Sequence, residues 1–394
     1  MRKKRYATIS VAIVLLAIIL AFAFTSQRGA ALTRESIREA SVLQPSQVNY
    51  GMHDWTFETM GYNITDIAIT QGIQQALFVT LFDNCLVYAY NPTPTTFALG
   101  TYNLTSSTQG VAFTIQTPNM DGPINLLAEG STLYFGFGTY DDNIAPGGEV
   151  YSTANLETYQ LLYSWTTGFQ PESIGYYAPN DTLLISGDGG PNTAIVYKLV
   201  NGTATILYTD PYTGDGTFLA MFNSTMVVAG GSFPQTPMYS NNLVNWTTSF
   251  SGVIGEYEPP FVFPWSWQTE IIYGKLWMPS ASFTTKYPDE SGIASFDGSN
   301  YNSYPETSAS YYSIADSLVG GTLGHTLGNE ISFPGPAVIS PFYPDGSIGP
   351  PIMRYGSGGF AVSSMVYDPA THFIYAALLG QSEKEIVLMY GYYN

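Results

Sequence analysis

From residue 60 onward the apolar residues fall in short alternating runs, separated by Gly, Pro, Asn and Asp. No stretch there sustains a helical period, so the pattern predicts a succession of half-buried β-strands joined by tight turns. One local pattern recurs: a turn, then a strand that opens on an aliphatic residue, then small residues. It is seen in Ser131-Thr132-Leu133-Tyr134-Phe135-Gly136, Asp181-Thr182-Leu183-Leu184-Ile185-Ser186 and Ser224-Thr225-Met226-Val227-Val228-Ala229. Gly274-Lys275-Leu276-Trp277-Met278-Pro279 and His372-Phe373-Ile374-Tyr375-Ala376-Ala377 repeat it, with weaker copies starting near Leu77 and Leu323.

A second element follows several copies. Val150-Tyr151-Ser152 leads through a polar turn to Thr158-Tyr159, and Met238-Tyr239-Ser240 leads to Asn245-Trp246. Val196-Tyr197-Lys198 and Ala294-Ser295-Phe296-Asp297-Gly298 are divergent versions. Each reads as the outer hairpin of a four-stranded sheet. A period of roughly 40–55 residues with several strands per repeat predicts an all-β, seven-bladed β-propeller. Six longer blades, eight shorter ones and a pair of β-sandwich domains are the alternatives. The last strand, Glu385 to Tyr392, has little chain after it to complete a blade. Gln47 to Thr59, with Trp55 and Phe57, is expected to supply the missing outer strand and so remove an exposed edge.

The N-terminus has a different character. Arg2-Lys3-Lys4-Arg5 precedes an uncharged apolar run from Ala7 to Phe24. As a helix this run spans about 27 Å, close to the thickness of a bilayer's hydrocarbon core. The basic cluster stays in the cytoplasm and sends the rest outside. The predicted organisation is a cytoplasmic tip and transmembrane anchor at 1–25, a juxtamembrane spacer at 26–46, and a propeller at 47–394 on the extracellular side. Within the spacer, Thr33 to Leu43 reads as a short helix ended by Pro45. A cleaved signal peptide, with Gly29-Ala30-Ala31 as its cleavage site, is the competing reading and gives the same side.

Charge sharpens this picture. The chain has 394 residues, a net charge of −18 and 12 basic residues. After Arg38 only Lys198, Lys275, Lys286, Arg354 and Lys384 remain basic. A body so poor in cations cannot neutralise a phosphate backbone, which excludes nucleic acid as partner. The single cysteine, Cys85, excludes an intrachain disulfide and reads as a small apolar strand residue. Sequons at Asn63, Asn103, Asn180, Asn201, Asn223 and Asn245 are potential glycosylation sites. None follows residue 245, which suggests that one side of the body faces a partner.

Candidate chemistry is sparse. His53, His325 and His372 share no ligand spacing. Asp141-Asp142-Asn143 and the loop Ser186-Gly187-Asp188-Gly189-Gly190 occupy matching positions in successive repeats. Asp141, Asp142 and Asp188 are hard oxygen ligands of the kind that hold Ca²⁺, the one cofactor considered, although Asp and Gly also serve as plain turn formers. Asp210 and Asp215 flank a similar loop. Phe261-Val262-Phe263-Pro264-Trp265-Ser266-Trp267 is the densest aromatic cluster. It reads as a buried strand entry or, through Trp265 and Trp267, as a ligand-binding platform for sugar or protein that Tyr301, Tyr304, Tyr311 and Tyr312 would extend.

The tyrosine–turn–tryptophan hairpins resemble the repeats of sialidase-like and kelch-like members of the β-propeller superfamily. The resemblance implies the fold, and no single family's activity. Sialidase chemistry needs an arginine cluster, whereas this body has Arg354 alone, and repeated Trp-docking motifs of quinoproteins are not found. The cation-poor, Tyr/Thr/Asn-rich, disulfide-free composition also resembles that of envelope or viral surface proteins of thermoacidophilic archaea. Below pH 3 most carboxylates are neutral, and a fold with few charge pairs loses little there. Two functions follow as expectations. The first is a membrane-anchored binding or structural envelope ectodomain for a protein or glycan partner. The second is an extracytoplasmic hydrolase or sulfur or redox enzyme with its site at the axial channel, as in the propeller tetrathionate hydrolases of acidophiles.

Overall fold

The computed structural model describes residues 55–64, 78–93, 95–117, 122–141, 144–189, 193–210, 218–223, 225–229, 238–247, 268–280, 292–306, 308–324, 335–380 and 386–393. They belong to the compact unit His53–Asn394. The anchor expected at 7–24 and the spacer at 26–46 lie outside the described residues. Among the described residues no helix is long and apolar enough to cross a membrane.

The chain is an all-β propeller. After β1 (Trp55–Ile64) comes a sheet of β2 (Phe78–Phe82), β3 (Cys85–Thr93), β4 (Thr96–Asn103) and β5 (Thr108–Gln116). The next has β6 (Gly122–Pro123) and β7 (Leu127–Glu129), two halves of an interrupted first strand that both pair β8 (Thr132–Asp141), then β9 (Ile144–Thr153) and β10 (Gln160–Trp165). The third holds β11 (Gln170–Tyr177), β12 (Thr182–Asp188), β13 (Ala194–Val200) and β14 (Thr203–Asp210). The fourth holds β15 (Phe218–Phe222), β16 (Thr225–Ala229) and β17 (Met238–Ser240). The fifth holds β18 (Glu270–Ile272), β19 (Lys275–Ser280), β20 (Gly292–Phe296) and β21 (Tyr301–Pro305). The sixth holds β22 (Ala309–Ala315), β23 (Leu318–Leu323), β24 (Ala337–Pro341) and β25 (Met353–Tyr355). The last holds β26 (Phe360–Asp368), β27 (Phe373–Gly380) and β28 (Ile386–Tyr393), with β1 added outside β28.

The expectation of seven blades is corrected to six: six sheets carry four strands or more, whereas the β15–β17 sheet carries three among the described residues. Its fourth place is marked only by a bridge between Tyr239 and Thr247. The expected closure by the N-terminus is present, displaced toward later residues. Trp55 opposes Tyr393 and Ile64 opposes Ile386, with a bulge between Thr59 and Asn63.

Every sheet is a meander, and its first strand lies innermost: β26 packs on β22 and β2, and β11 on β15. Apolar residues from facing sheets form a wedge at each junction. One wedge joins Phe97, Leu99 and Phe113 to Phe135 and Phe137. Another joins Trp277 and Ile293 to Ile314, Val338 and Phe342. The ring closes where Leu86 and Tyr88 meet Ala361, Tyr375 and Leu388. A single antiparallel sheet with both faces this apolar would not stand alone in water; burial against two neighbours is what stabilises it.

Turn chemistry explains the recurring sequence pattern. The inner hairpin of each sheet turns through a residue at positive φ: Asp83 and Asn84, Gly130, Asp181, Asn223, Tyr273 and Gly274, Asp316, and His372. Such turns match the right-handed twist of the flanking strands, and Asn, Asp and Gly adopt that backbone most readily. The second strand then opens on the aliphatic residue, as at Leu133, Leu183, Met226, Leu276 and Ile374. For the two weak copies the register differs from expectation. Leu77 precedes the described first strand and Leu323 ends a second strand; the equivalent positions are Leu86 after Asp83-Asn84 and Leu318 after Asp316-Ser317. Outer hairpins are fixed by side chains: Asn103, Asn155, Asn242 and Asp297 each accept two backbone N–H bonds from the turn that follows.

Candidate functional site

Because each sheet is a meander, the inner and outer hairpin turns emerge on one face of the ring and the remaining connections on the other. The hairpin face is tight, with turns such as Asp83–Asn84, Asn201–Gly202, Tyr273–Gly274 and Asp316–Ser317; the β24–β25 connection is its long exception. On the opposite face the described strands end at longer gaps in the chain, at 65–77, 211–217, 230–237, 281–291 and 325–334, which lie outside the described residues.

Between the faces, the inner strands are joined by side chains that bond backbone. A bulge precedes a serine in three of them, between Pro171 and Ser173, Tyr311 and Ser313, and Val362 and Ser364. Ser173 Oγ accepts the Leu219 N–H at 3.1 Å, and Ser364 Oγ accepts the Val79 N–H at 2.9 Å. Ser173 and Ser364 thereby tie their sheets to the next. The residue after the bulge uses an amide side chain: Asn125 accepts from the Ile174 N–H at 2.6 Å and donates to its carbonyl at 2.9 Å. Gln268, just ahead of β18, accepts from the Met365 N–H and donates to the Val79 carbonyl, while bridging Ser313 in parallel. Its side chain therefore joins two inner strands, β26 and β2, while its backbone bridges a third, β22. Gly187 and Gly321 stand against the bulges, where a Cβ would lie 1.9 Å from the carbonyls of Gln170 and Ser310. Close backbone approach, rather than φ, requires glycine there.

The hairpin mouth of the axis gathers titratable groups. Glu270, half-buried at the start of β18, has its carboxyl pushed up to about 7, first by desolvation and then by the neighbouring Asp316. Tyr367 is raised by burial and by Asp316 and Asp368, and its hydroxyl lies 2.9 Å from His372 Nδ1. Burial and then Asp368 push Tyr375 up to about 12. Across the ring, Tyr176 donates to Asp181, which raises its phenol to about 12. Tyr134 is raised by burial, Asp181 and Glu129. The result is an acid–phenol rim in which Glu270 changes charge near neutrality. None of these residues was singled out as a site from the sequence. The signal available was the acidic residue beside the inner turn, present at Asp83, Glu129, Asp181, Asp316 and Asp368.

The residues expected to carry chemistry are placed differently. Asp141 and Asp188 end the second strands of adjacent sheets on the long-connection face, and Asp188 is buried. Asp142, Asp215, His53 and His325 lie outside the described residues, as does the Asp141 side chain. Among the described residues no three His, Cys, Asp or Glu groups could hold a metal ion. His372 stands on the other face from Asp188. Trp265 and Trp267 also lie outside the described residues, as does the side chain of Tyr301. Tyr304 belongs to a junction between sheets, its ring 5.4 Å from that of Trp277. Tyr311 and Tyr312 are buried and extend no surface. The Cys85 thiol is pushed up by burial and then by Asp83, which keeps it protonated.

No family model matches the chain, and no curated protein matches it. Solved structures match it in fold. A chain of the Chaetomium thermophilum Raptor crystal structure aligns over 89% of this chain with a TM-score of 0.51 and 14% identity. This chain spans 30% of that one. A chain of the mitotic checkpoint complex aligns over 88% of this chain and 98% of its own length, with a TM-score of 0.50 and 10% identity. The β-propeller domain of the trilobed protease from Pyrococcus furiosus covers 81% of this chain and 97% of itself, at a TM-score of 0.48 and 11% identity. At such identities the likeness is one of fold alone.

Proposed function

We propose that this protein is a β-propeller held outside the cell membrane by residues 7–24, and that it serves as a binding or structural envelope ectodomain for a protein or glycan partner. The observation that carries the reading is the unequal pair of faces. Tight turns gather on one side and the long connections on the other, and long connections held on a rigid scaffold are where binding surfaces are built. The chain also enters β1 at Trp55, opposite Tyr393 at the end of β28. That end lies on the hairpin face.

An enzyme with its site at the axis is the second reading, favoured by the perturbed Glu270 beside Asp316. Against it, the Gln268 side chain fills hydrogen-bonding positions of the inner strands that an axial substrate would need. The test is purification of the full chain from its native membranes, beside a variant whose 281–291 connection is replaced by a short Asn-Gly turn. Loss of a co-purifying protein or glycan, with the β signal in circular dichroism retained, supports the binding reading. An unchanged partner, or a lone particle that turns over substrate, contradicts it.

A further inference from the structure

We infer that Asn201, Asn223 and Asn245 carry N-linked glycans, and that this sugar covers an apolar rim on one half of the ring, leaving the long-connection face bare for contact. The inference rests on the extracytoplasmic reading above and goes beyond it in choosing among the sequons.

The five sequons from Asn103 to Asn245 stand at hairpin turns, so all lie on one face, in the sheets of β2–β5, β11–β14 and β15–β17. Their side chains are not equivalent. Asn201 and Asn223 are exposed at turn apices with φ of 50° and 54°. Asn245 is exposed, and its backbone N–H donates to Asn242 Oδ1 at 2.9 Å. The threonines that complete the first and last of these sequons, Thr203 and Thr247, are exposed as well. Asn103 is different: its Oδ1 accepts the Thr105 and Ser106 N–H groups at 3.0 and 2.8 Å, and its Nδ2 faces Cys85 Sγ at 4.0 Å. Asn180 accepts the hydroxyl of Thr182, which is 2% exposed and closed to a transferase. Asn63 sits in the β1–β28 ladder opposite Val387.

The same half of the ring holds most of the exposed apolar residues described. Val200 is 41% exposed beside Asn201, and Val244 is 76% exposed beside Asn245. Ile206, at 52%, lies on the strand that Asn201 introduces, and Val111, Tyr159 and Leu161 continue the rim over the two preceding sheets. A bulky, hydrated substituent at these turns hides apolar surface that would otherwise promote association.

The modification is a group transfer from a prenyl-phosphate-linked oligosaccharide. The Asn Nδ2 bonds the anomeric carbon and loses one proton to a base. The anomeric C–O bond to phosphate breaks, and the lipid phosphate leaves with the electron pair. Nothing is oxidised or reduced.

The experiment maps glycopeptides by mass on protein from native membranes, and separately labels intact cells with a membrane-impermeant amine reagent read at Lys198 and Lys275. Expected are sugar at Asn201, Asn223 and Asn245, none at Asn63, Asn103 or Asn180, and labelled lysines. Labelled lysines with bare Asn201 and Asn245 overturn the inference and leave the extracytoplasmic reading standing. Unlabelled lysines in intact cells that become labelled after lysis overturn both. The shielding role is tested by Asn201→Gln with Asn245→Gln. Binding of an apolar dye is expected to rise severalfold with the β spectrum unchanged, and an unchanged dye signal in a deglycosylated, folded variant overturns shielding.

Discussion

Gln268 Nε2 lies 2.9 Å from the carbonyl oxygen of Val79, 189 residues away in the chain, and joins an inner strand to the approach of a strand with two sheets between them. The same side chain accepts the Met365 N–H. Both backbone groups belong to inner strands that have no ladder partner on their axial side, so an amide side chain supplies what a further strand would have given. Asn125 does the same for Ile174, which makes the device a repeated one.

Replacing Gln268 by Leu is therefore expected to leave a buried donor and a buried acceptor unpaired. The cost is about 2 kcal/mol, read as a lower midpoint in urea denaturation at an unchanged slope. Replacing half-buried Gln109 is no suitable control, since it donates to Tyr88; exposed Val244 serves instead.

The pH dependence follows from Glu270. Its folded pKa, about 7, lies above the ordinary carboxyl value of 4.5. The folded state thus holds the proton more tightly than the unfolded chain. The stabilisation is complete below pH 4.5 and is lost as pH rises through 7. Denaturation midpoints are expected to fall across that window by an amount on the order of 1–2 kcal/mol, allowing for solvent screening of a half-buried carboxyl. Glu270→Gln should flatten this step and leave the acid side unchanged.

Gly187→Ala and Gly321→Ala each drive a methyl group into a carbonyl on the facing bulged strand. Each is expected to cost about 1–3 kcal/mol, as other overpacked sites do. By contrast Gly130→Ala, with open space around its Cβ position but a φ of +58°, should cost about 1 kcal/mol through backbone strain alone. Thermal melts of the three variants give the order.

Trp277 is fully buried between two sheets, with Nε1 donating to the Ile272 carbonyl at 3.0 Å. Trp277→Ala should cost about 3–5 kcal/mol and unfold the ring as one unit, seen as coincident loss of near- and far-UV circular dichroism.

The fold was legible because one feature repeats. A twist-compatible turn needs Asn, Asp or Gly at positive φ, and the second strand that follows is buried on both faces, so Asp181-Thr182-Leu183 and Gly274-Lys275-Leu276 look alike in sequence. Asp83-Asn84-Cys85-Leu86 and Asp316-Ser317-Leu318 obey the same rule, and their registers slipped because aliphatic residues also occupy neighbouring strands. The N-terminal closing strand could be anticipated from an incomplete last repeat. The axis could not. Gln268 has no local pattern to mark it, since its partners Val79 and Met365 are brought to it only by ring closure. Glu270 is likewise silent in sequence, because its perturbation comes first from burial in the ring and then from Asp316 in the next sheet. Tyr304 and Tyr311 misled because an aromatic residue between sheets and one on a surface read the same.

Ring closure by the two chain ends is the claim on which the rest depends, and a cysteine pair tests it most directly. Glu58 and Tyr390 are opposed in the β1–β28 ladder. With Cys85 replaced by Ser, Glu58→Cys with Tyr390→Cys should form an intramolecular disulfide on mild oxidation. It should migrate as a monomer and melt at higher temperature than its reduced form. Free thiols after oxidation, or a crosslink found only between two chains, would contradict the closed ring.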